Sequence, residues 1–132
     1  YIKETDESSR KGENDDRIFI AEANVIKNLA KKESCVIVGR CADYVLKDNK
    51  DVVKVFLYSS DESKVERAVK YYGLSKENAN KEIAKVDKER EKHYKFYTNR
   101  NWRDMNNYDL IMNVDSKGVE KTAKFIKECV TE

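Results

Sequence analysis

Five residues of this sequence could act together on a charged ligand: Arg40, Asp43, Arg67, Asp87 and Arg90. Arg40 and Asp43 follow a short apolar run, Cys35-Val36-Ile37-Val38, closed by Gly39. In open parallel sheets ligands bind beyond the carboxyl ends of the strands, and a glycine there lets the backbone turn sharply. An arginine at such a rim can fork onto a phosphate or carboxylate. An aspartate beside it can accept from an amino group or a sugar hydroxyl. The same two residues also suit a plain strand-to-helix turn in which they pair or cap. Asp87 and Arg90 share a helix face with Ile83, Tyr94 and Tyr97, at successive spacings of 4, 3, 4 and 3. Apolar neighbours would partly desolvate them, as a charged ligand requires; the alternative is a solvated face. Lys85, Lys88, Glu89, Glu91 and Lys92 read as that solvated face. Tyr94, Phe96, Tyr97 and Trp102 suit packing better than base stacking. Arg67 lies on the helix after the second strand, where it either reaches the same rim as Arg40 or stands exposed.

Other chemistries are poorly served. Cys35, Cys41 and Cys129 are odd in number and lack C-x-x-C spacing, which argues against a disulfide scaffold or a zinc site and for a reducing, cytoplasmic setting. His93 is the single histidine, and nothing near it suggests a Cys-His pair. The four glycines, Gly12, Gly39, Gly73 and Gly118, are too far apart to spell G-x-x-x-x-G-K-[ST] or G-x-G-x-x-G. Charged residues make up 39% of the chain, against an average of roughly 25%. They nearly cancel, at 27 basic and 25 acidic, so the net charge of +2 disfavours a nucleic-acid-coating protein. No apolar run reaches the length of about 18 residues that a membrane helix needs.

The elements that must position these residues alternate. Residues 1–16 are almost wholly polar, with three positive and six negative charges, and read as a flexible arm or loop. From residue 17 the spacing of Ile18, Ala21, Val25 and Leu29 predicts a helix. Cys35–Val38 reads as a strand buried on both faces. Val52–Tyr58 reads as a second strand, and Ser59 with Glu62 as the capping box of a helix whose stripe is Val65, Ala68, Val69 and Tyr72, ended by Gly73. Ser75 to Asn107 is helical in composition to about Tyr97, and its residues 85–103 hold seven positive and three negative charges. So long a crossover reads as a lid, over about 75–107. Tyr108–Val114 reads as a third strand. Asp115 or Ser116 would cap a closing helix with the stripe Val119, Ala123, Ile126 and Val130. Strands alternating with helices give an α/β class with a parallel sheet.

From about Arg17 to the C-terminus the chain resembles the cytidylate kinase-like family of P-loop nucleoside monophosphate kinases. The resemblance rests on Gly39-Arg40-Cys41-Ala42-Asp43-Tyr44-Val45-Leu46 and on Val55-Phe56-Leu57-Tyr58-Ser59-Ser60-Asp61-Glu62 with Arg67. It continues through Val86-Asp87-Lys88-Glu89-Arg90 with Tyr94, Tyr97-Thr98 and Trp102, and ends with Asn107-Tyr108-Asp109-Leu110. It implies a three-layer P-loop kinase-type parallel sheet with a helical lid, N-terminally truncated, so that residues 17–132 are the C-terminal portion of such a domain. In that fold a first strand, followed by the phosphate loop, lies between the strands at Cys35–Val38 and Val53–Tyr58; an upstream segment or another chain is expected to complete the sheet.

The resemblance implies Arg67 and Arg90 as catalytic residues, Arg67 facing the transferring phosphoryl group and Arg90 forming with Asp87 the lid's acid/arginine pair over the phosphates and base. It implies Arg40, Asp43 and Asp87 as substrate-binding residues, with ATP and Mg2+ as cofactors and no protein-held metal. The reaction implied for the complete protein is phosphoryl transfer from ATP to CMP or a related monophosphate, with residues 1–132 alone inactive. A non-catalytic nucleotide-binding or regulatory module with the same fold is the alternative. An RNA-binding protein using the basic, aromatic lid is a weaker one. Neither a membrane nor a nucleic acid is an expected partner.

Overall fold

The computed structural model describes residues 2–131, with side chains from residue 14 onward, and divides the chain into two units, Tyr1–Asn49 and Lys50–Glu132.

In the first unit, α1 runs from Ile2 to Lys32 and α2 from Ala42 to Val45. The helix therefore continues through most of the segment expected to be an arm over residues 1–16. Lys, Glu, Arg and Ser all tolerate helical backbone, so polarity removes the apolar stripe without forbidding the helix. The stripe also differs from the expected one: Ile18 and Val25 are exposed, while Phe19, Glu22, Ala23 and Ala30 are half-buried and Ile26 is buried. The buried face is thus displaced by about one residue. Cys35–Val38 is not a strand. It has no ladder partner among the described residues, and Val36 and Val38 are 93% and 87% exposed. An apolar, β-branched run has the composition of a strand, but only a hydrogen-bonded neighbour makes it one.

The second unit carries the sheet. β1 (Val55–Tyr58) pairs in parallel with β2 (Leu110–Asn113), Val55 opposite Leu110 and Tyr58 opposite Asn113. Both strands are shorter than expected and, with Cys35–Val38 irregular, the sheet has two strands among the described residues where three were expected. The α/β class holds, as parallel strands joined by a helical crossover.

Two aspartates continue the register beyond the ladder. Asp109 accepts from the Lys54 amide at 2.8 Å, and Asp115 accepts from the Ser60 amide at 2.7 Å, each across the same separation of 55 residues. Asp115 therefore closes the strand end instead of capping the final helix, which begins after Gly118 with no side-chain cap; Asn113 caps only the short helical turn 114–117, accepting from the Asp115 amide at 3.0 Å.

The crossover is α3 (Asp61–Tyr72) and α4 (Lys76–Thr98). Ser60, one residue after the expected cap, accepts from the Ser63 amide at 3.2 Å. Gly73 ends α3 at φ 66°, a left-handed conformation that glycine adopts without a Cβ clash. Ser75 caps α4, and Asn99 ends it. Val65, Ala68 and Ala79 form a buried core between these helices, with Leu74 and Ile83 against it. A short 3-10 turn (Met105–Asn107) leads into β2, followed by α5 (Val114–Lys117) and α6 (Val119–Val130). No described helix is long and apolar enough to cross a membrane.

Candidate functional site

The site starts where β1 stops. Tyr58 and Ser59 line a cavity of about 390 Å³, and Phe56, Leu57 and Trp102 extend that wall. Val114, Val119, Thr122, Ala123 and Ile126 supply an apolar side. Capping by Ser60 fixes the start of α3, and the helical repeat then sets Lys64 and Arg67, three residues apart, on one face toward the cavity. Asp87 and Arg90 reach it from the middle of α4, again three residues apart, and Arg103 from the loop beyond.

Four cations and one carboxylate line this space, and Asp61, Glu91 and Asp115 pair with three of those cations from outside the lining. A second cavity, of about 340 Å³, shares Asp87 and Arg103 but adds Asp61, Glu91 and Lys88, so acids outnumber bases there. The linings of the two cavities thus differ in the sign of their charge, the first being the more cationic.

Asp87 is the hub. Lys64 Nζ donates to its Oδ2 at 2.9 Å, Arg90 Nη1 lies 3.5 Å from Oδ1, and Arg103 Nη2 lies 3.8 Å from Oδ2. Only the first is a close hydrogen bond, and Asp87 is the least exposed of the group at 18%. Two of these cations meet a second acid as well, Lys64 with Asp61 at 3.9 Å and Arg103 with Glu91 at 2.6 Å. Arg67 stands differently: its Nη2 is 3.5 Å from both Ser63 Oγ and Asp115 Oδ1. Hydrogen bonds from the Ser63 hydroxyl and the Ser60 amide, with Arg67 nearby, hold the Asp115 carboxyl below the usual carboxylate value. Arg67 is therefore steadied by a group that stays ionised at neutral pH.

Trp102 is fixed from two sides. Its ring meets Phe56 edge-on at 5.3 Å, and Tyr108 donates its hydroxyl to the Trp102 carbonyl at 2.6 Å. Arg103 lies 5.1 Å over the indole and donates from Nε to Glu91 Oε1 at 2.6 Å.

Of the expected site residues, the structure brings Arg67, Asp87 and Arg90 to one cavity. Arg40 and Asp43 belong to the other unit. There Gly39, Arg40 and Cys41 adopt φ values of 73°, 57° and 55°, three successive left-handed residues before α2. Arg40 Nε lies 3.6 Å from Glu22 Oε1, and its side chain is 63% exposed. Cys41 is buried, and that burial, reinforced by Asp43 and Glu22, raises its thiol to about 11, far from a reactive thiolate. Tyr94 is buried as packing and Phe96 is exposed.

Sequence reasoning missed Lys64 and Arg103. Lys64 had a signal, three residues before Arg67 on the same predicted helix. Arg103 had none beyond the basic character of its stretch, because it follows a helix end that local spacing cannot orient. No group of three or more described His, Cys, Asp or Glu residues could hold a metal ion.

A parallel strand end opening onto a cavity lined by four cations belongs to an α/β protein. The chain matches the cytidylate kinase-like family over residues 2–116, and it belongs to that family. It is also similar to the crystal structure of an uncharacterized protein from Eubacterium ventriosum ATCC 27560, with 30% identity and a TM-score of 0.81 over 86% of this chain. This chain spans 64% of the length of that one. No curated protein matches it.

Proposed function

We propose that this chain is the acceptor-site and lid portion of a nucleoside monophosphate kinase that transfers a phosphoryl group from ATP to CMP or a related monophosphate. The observation that carries the reading is the convergence of Lys64, Arg67, Arg90 and Arg103 on one cavity at the β1 end, in a chain of the cytidylate kinase-like family. Phosphoryl transfer asks little covalent work of the protein. It needs in-line positioning and cations where charge accumulates, inside a space that excludes water. In this reading Arg67 and Arg90 face the transferring group, and Asp87 sets the spacing of the cations. Arg40 and Asp43, in the first unit, hold the acceptor nucleotide as the family resemblance implies.

Residues 1–132 spell no glycine-rich phosphate loop, so the donor site for ATP is assigned to the rest of the complete protein. Magnesium, which binds through phosphate oxygens and one or two carboxylates, would come with ATP and supply charge neutralisation there. Residues 1–132 alone are expected to bind monophosphate without turnover.

The test is a coupled ADP-release assay on the full-length protein, with CMP, dCMP, UMP and AMP as acceptors. Turnover with CMP or dCMP above the others is the expected result, and no turnover with any sinks the enzyme reading. Calorimetric binding of CMP without turnover would instead favour the non-catalytic nucleotide-binding module.

A further inference from the structure

Arg103 has more hydrogen-bonding capacity than the protein uses. A guanidinium offers five N–H donors in a planar fork. Here Nε is taken by Glu91 at 2.6 Å, the shortest ion pair of the cluster. Its Nη edge, by contrast, comes no closer than 3.8 Å to Asp87, too far for a hydrogen bond, and among the described residues no hydrogen bond uses the Nη donors. Glu91 therefore grips the side chain by one nitrogen and leaves the other two beside the cavity that Lys64, Arg67 and Arg90 also line. The loop beneath is fixed as well, by the Tyr108 hydroxyl on the Trp102 carbonyl and by the Arg103 amide, which donates to Asn101 Oδ1 at 3.0 Å.

We propose that Arg103 is a further anion-binding residue of this site, which forks its Nη donors onto the phosphate of the bound nucleotide while Glu91 acts as its positioning residue. The inference rests on the kinase reading for the identity of the ligand, but not for the role of the arginine. An oxyanion in the cavity outcompetes Asp87 for the Nη edge, because it can accept two parallel bonds where Asp87 makes none. The guanidinium pivots about its Nε bond, which changes its stacking on Trp102, the only tryptophan in the chain. Indole emission therefore reports the event, with Trp102→Phe showing which part of the signal this residue gives.

The experiment is calorimetry on the full-length protein with CMP, cytidine and inorganic phosphate, alongside Trp102 fluorescence. The variants are Arg103→Met, Arg103→Lys and Glu91→Ala, with Lys81→Met as a control that removes a surface charge paired only with Glu77. Arg103→Met is expected to weaken CMP about tenfold and phosphate similarly, leave cytidine unchanged and abolish the fluorescence response. Lysine supplies a point charge without the fork, so Arg103→Lys should recover part of the affinity. Glu91→Ala should weaken CMP about threefold, and the control should match wild type.

Equal CMP affinity for wild type and Arg103→Met overturns this proposal and leaves the kinase reading standing. Arg103-dependent phosphate binding, with CMP binding no tighter than phosphate, supports the arginine's role and counts against the nucleotide. No binding of CMP or phosphate by wild type overturns both. If Arg103→Met fails to fold by circular dichroism, Arg103→Lys decides: an unchanged CMP affinity overturns the proposal.

Discussion

The Gly39–Asp43 turn and the Lys64–Arg103 cavity both present arginine, yet they are built by opposite means. In the turn, consecutive residues do the work: three successive left-handed φ values aim one arginine, with a single acid, Glu22, at 3.6 Å. In the cavity the backbone is ordinary helix and loop, and residues up to 39 positions apart share one carboxylate. The turn holds its geometry in dihedral angles and the cavity in charge balance. Damage to the first should appear as lost stability, and damage to the second as lost function.

The sharpest division comes from the cavity. Arg90→Met and Arg67→Met in the full-length protein should each lower kcat/KM by roughly 10²- to 10³-fold, with the unfolding midpoint nearly unchanged. Steady-state kinetics beside a thermal melt checks this, and equal losses in both would erase the contrast. Gly39→Ala reverses the pattern. Nothing lies within 4 Å of an added Cβ, so its cost is the left-handed backbone at φ 73°, about 1–2 kcal/mol, seen as a lower Tm. Arg40→Gly should move stability the other way by roughly 0.5–1 kcal/mol, because arginine at φ 57° is the strained residue, while raising KM for the monophosphate. A variant more stable and less active than wild type would be the clearest sign that the turn exists for binding.

Much of this was legible in the sequence, for identifiable reasons. Gly39 and Gly73 announced the turns that they make, and the spacing of Asp87 and Arg90 placed them together on α4, since helical geometry depends only on near neighbours. Cys35–Val38 was misread because a strand needs a partner, which no local pattern supplies. The α1 stripe was misplaced because Phe19, Ala23, Ile26 and Ala30 are as apolar as the stripe chosen, and only tertiary contact selects between them. Arg103 escaped because a loop has no period. Its direction is set by Tyr108, Glu91 and Asn101, none of which its own position in the sequence singles out.

Smaller effects probe the same contrast through titration. Cys41, in the turn, is raised to about 11 from an ordinary value of 9.0, so its thiolate fraction near pH 8 is about a hundredfold lower than that of an unperturbed thiol. A thiol-reactive dye at that pH should label the exposed Cys35 and Cys129 quickly, and Cys41 only on unfolding. Rapid modification of all three would show that the turn opens.

Asp115, the partner of the cavity's Arg67, is held below its ordinary value of 3.8. A carboxyl with a depressed folded value contributes stability that is fully present above its unfolded value, roughly pH 4, and lost as pH falls through the folded one. Asp115→Asn should therefore flatten the acid limb of urea midpoints measured between about pH 2 and 6. A limb as steep as that of wild type would assign the acid loss to other carboxylates.

The paired aspartates at the two ends of the sheet have a consequence for timing. Asp109 on Lys54 and Asp115 on Ser60 act as end-stops set at one common offset of 55 residues, so the strands cannot adjust by degrees. A slip that preserves the faces moves one strand by two residues, roughly 6.6 Å, and unseats both carboxylates at once. The two strands are therefore expected to pair in one step, at the register that joins Val55 to Leu110 and Tyr58 to Asn113. Hydrogen exchange at the β1 and β2 amides should accordingly show one opening rate for both strands.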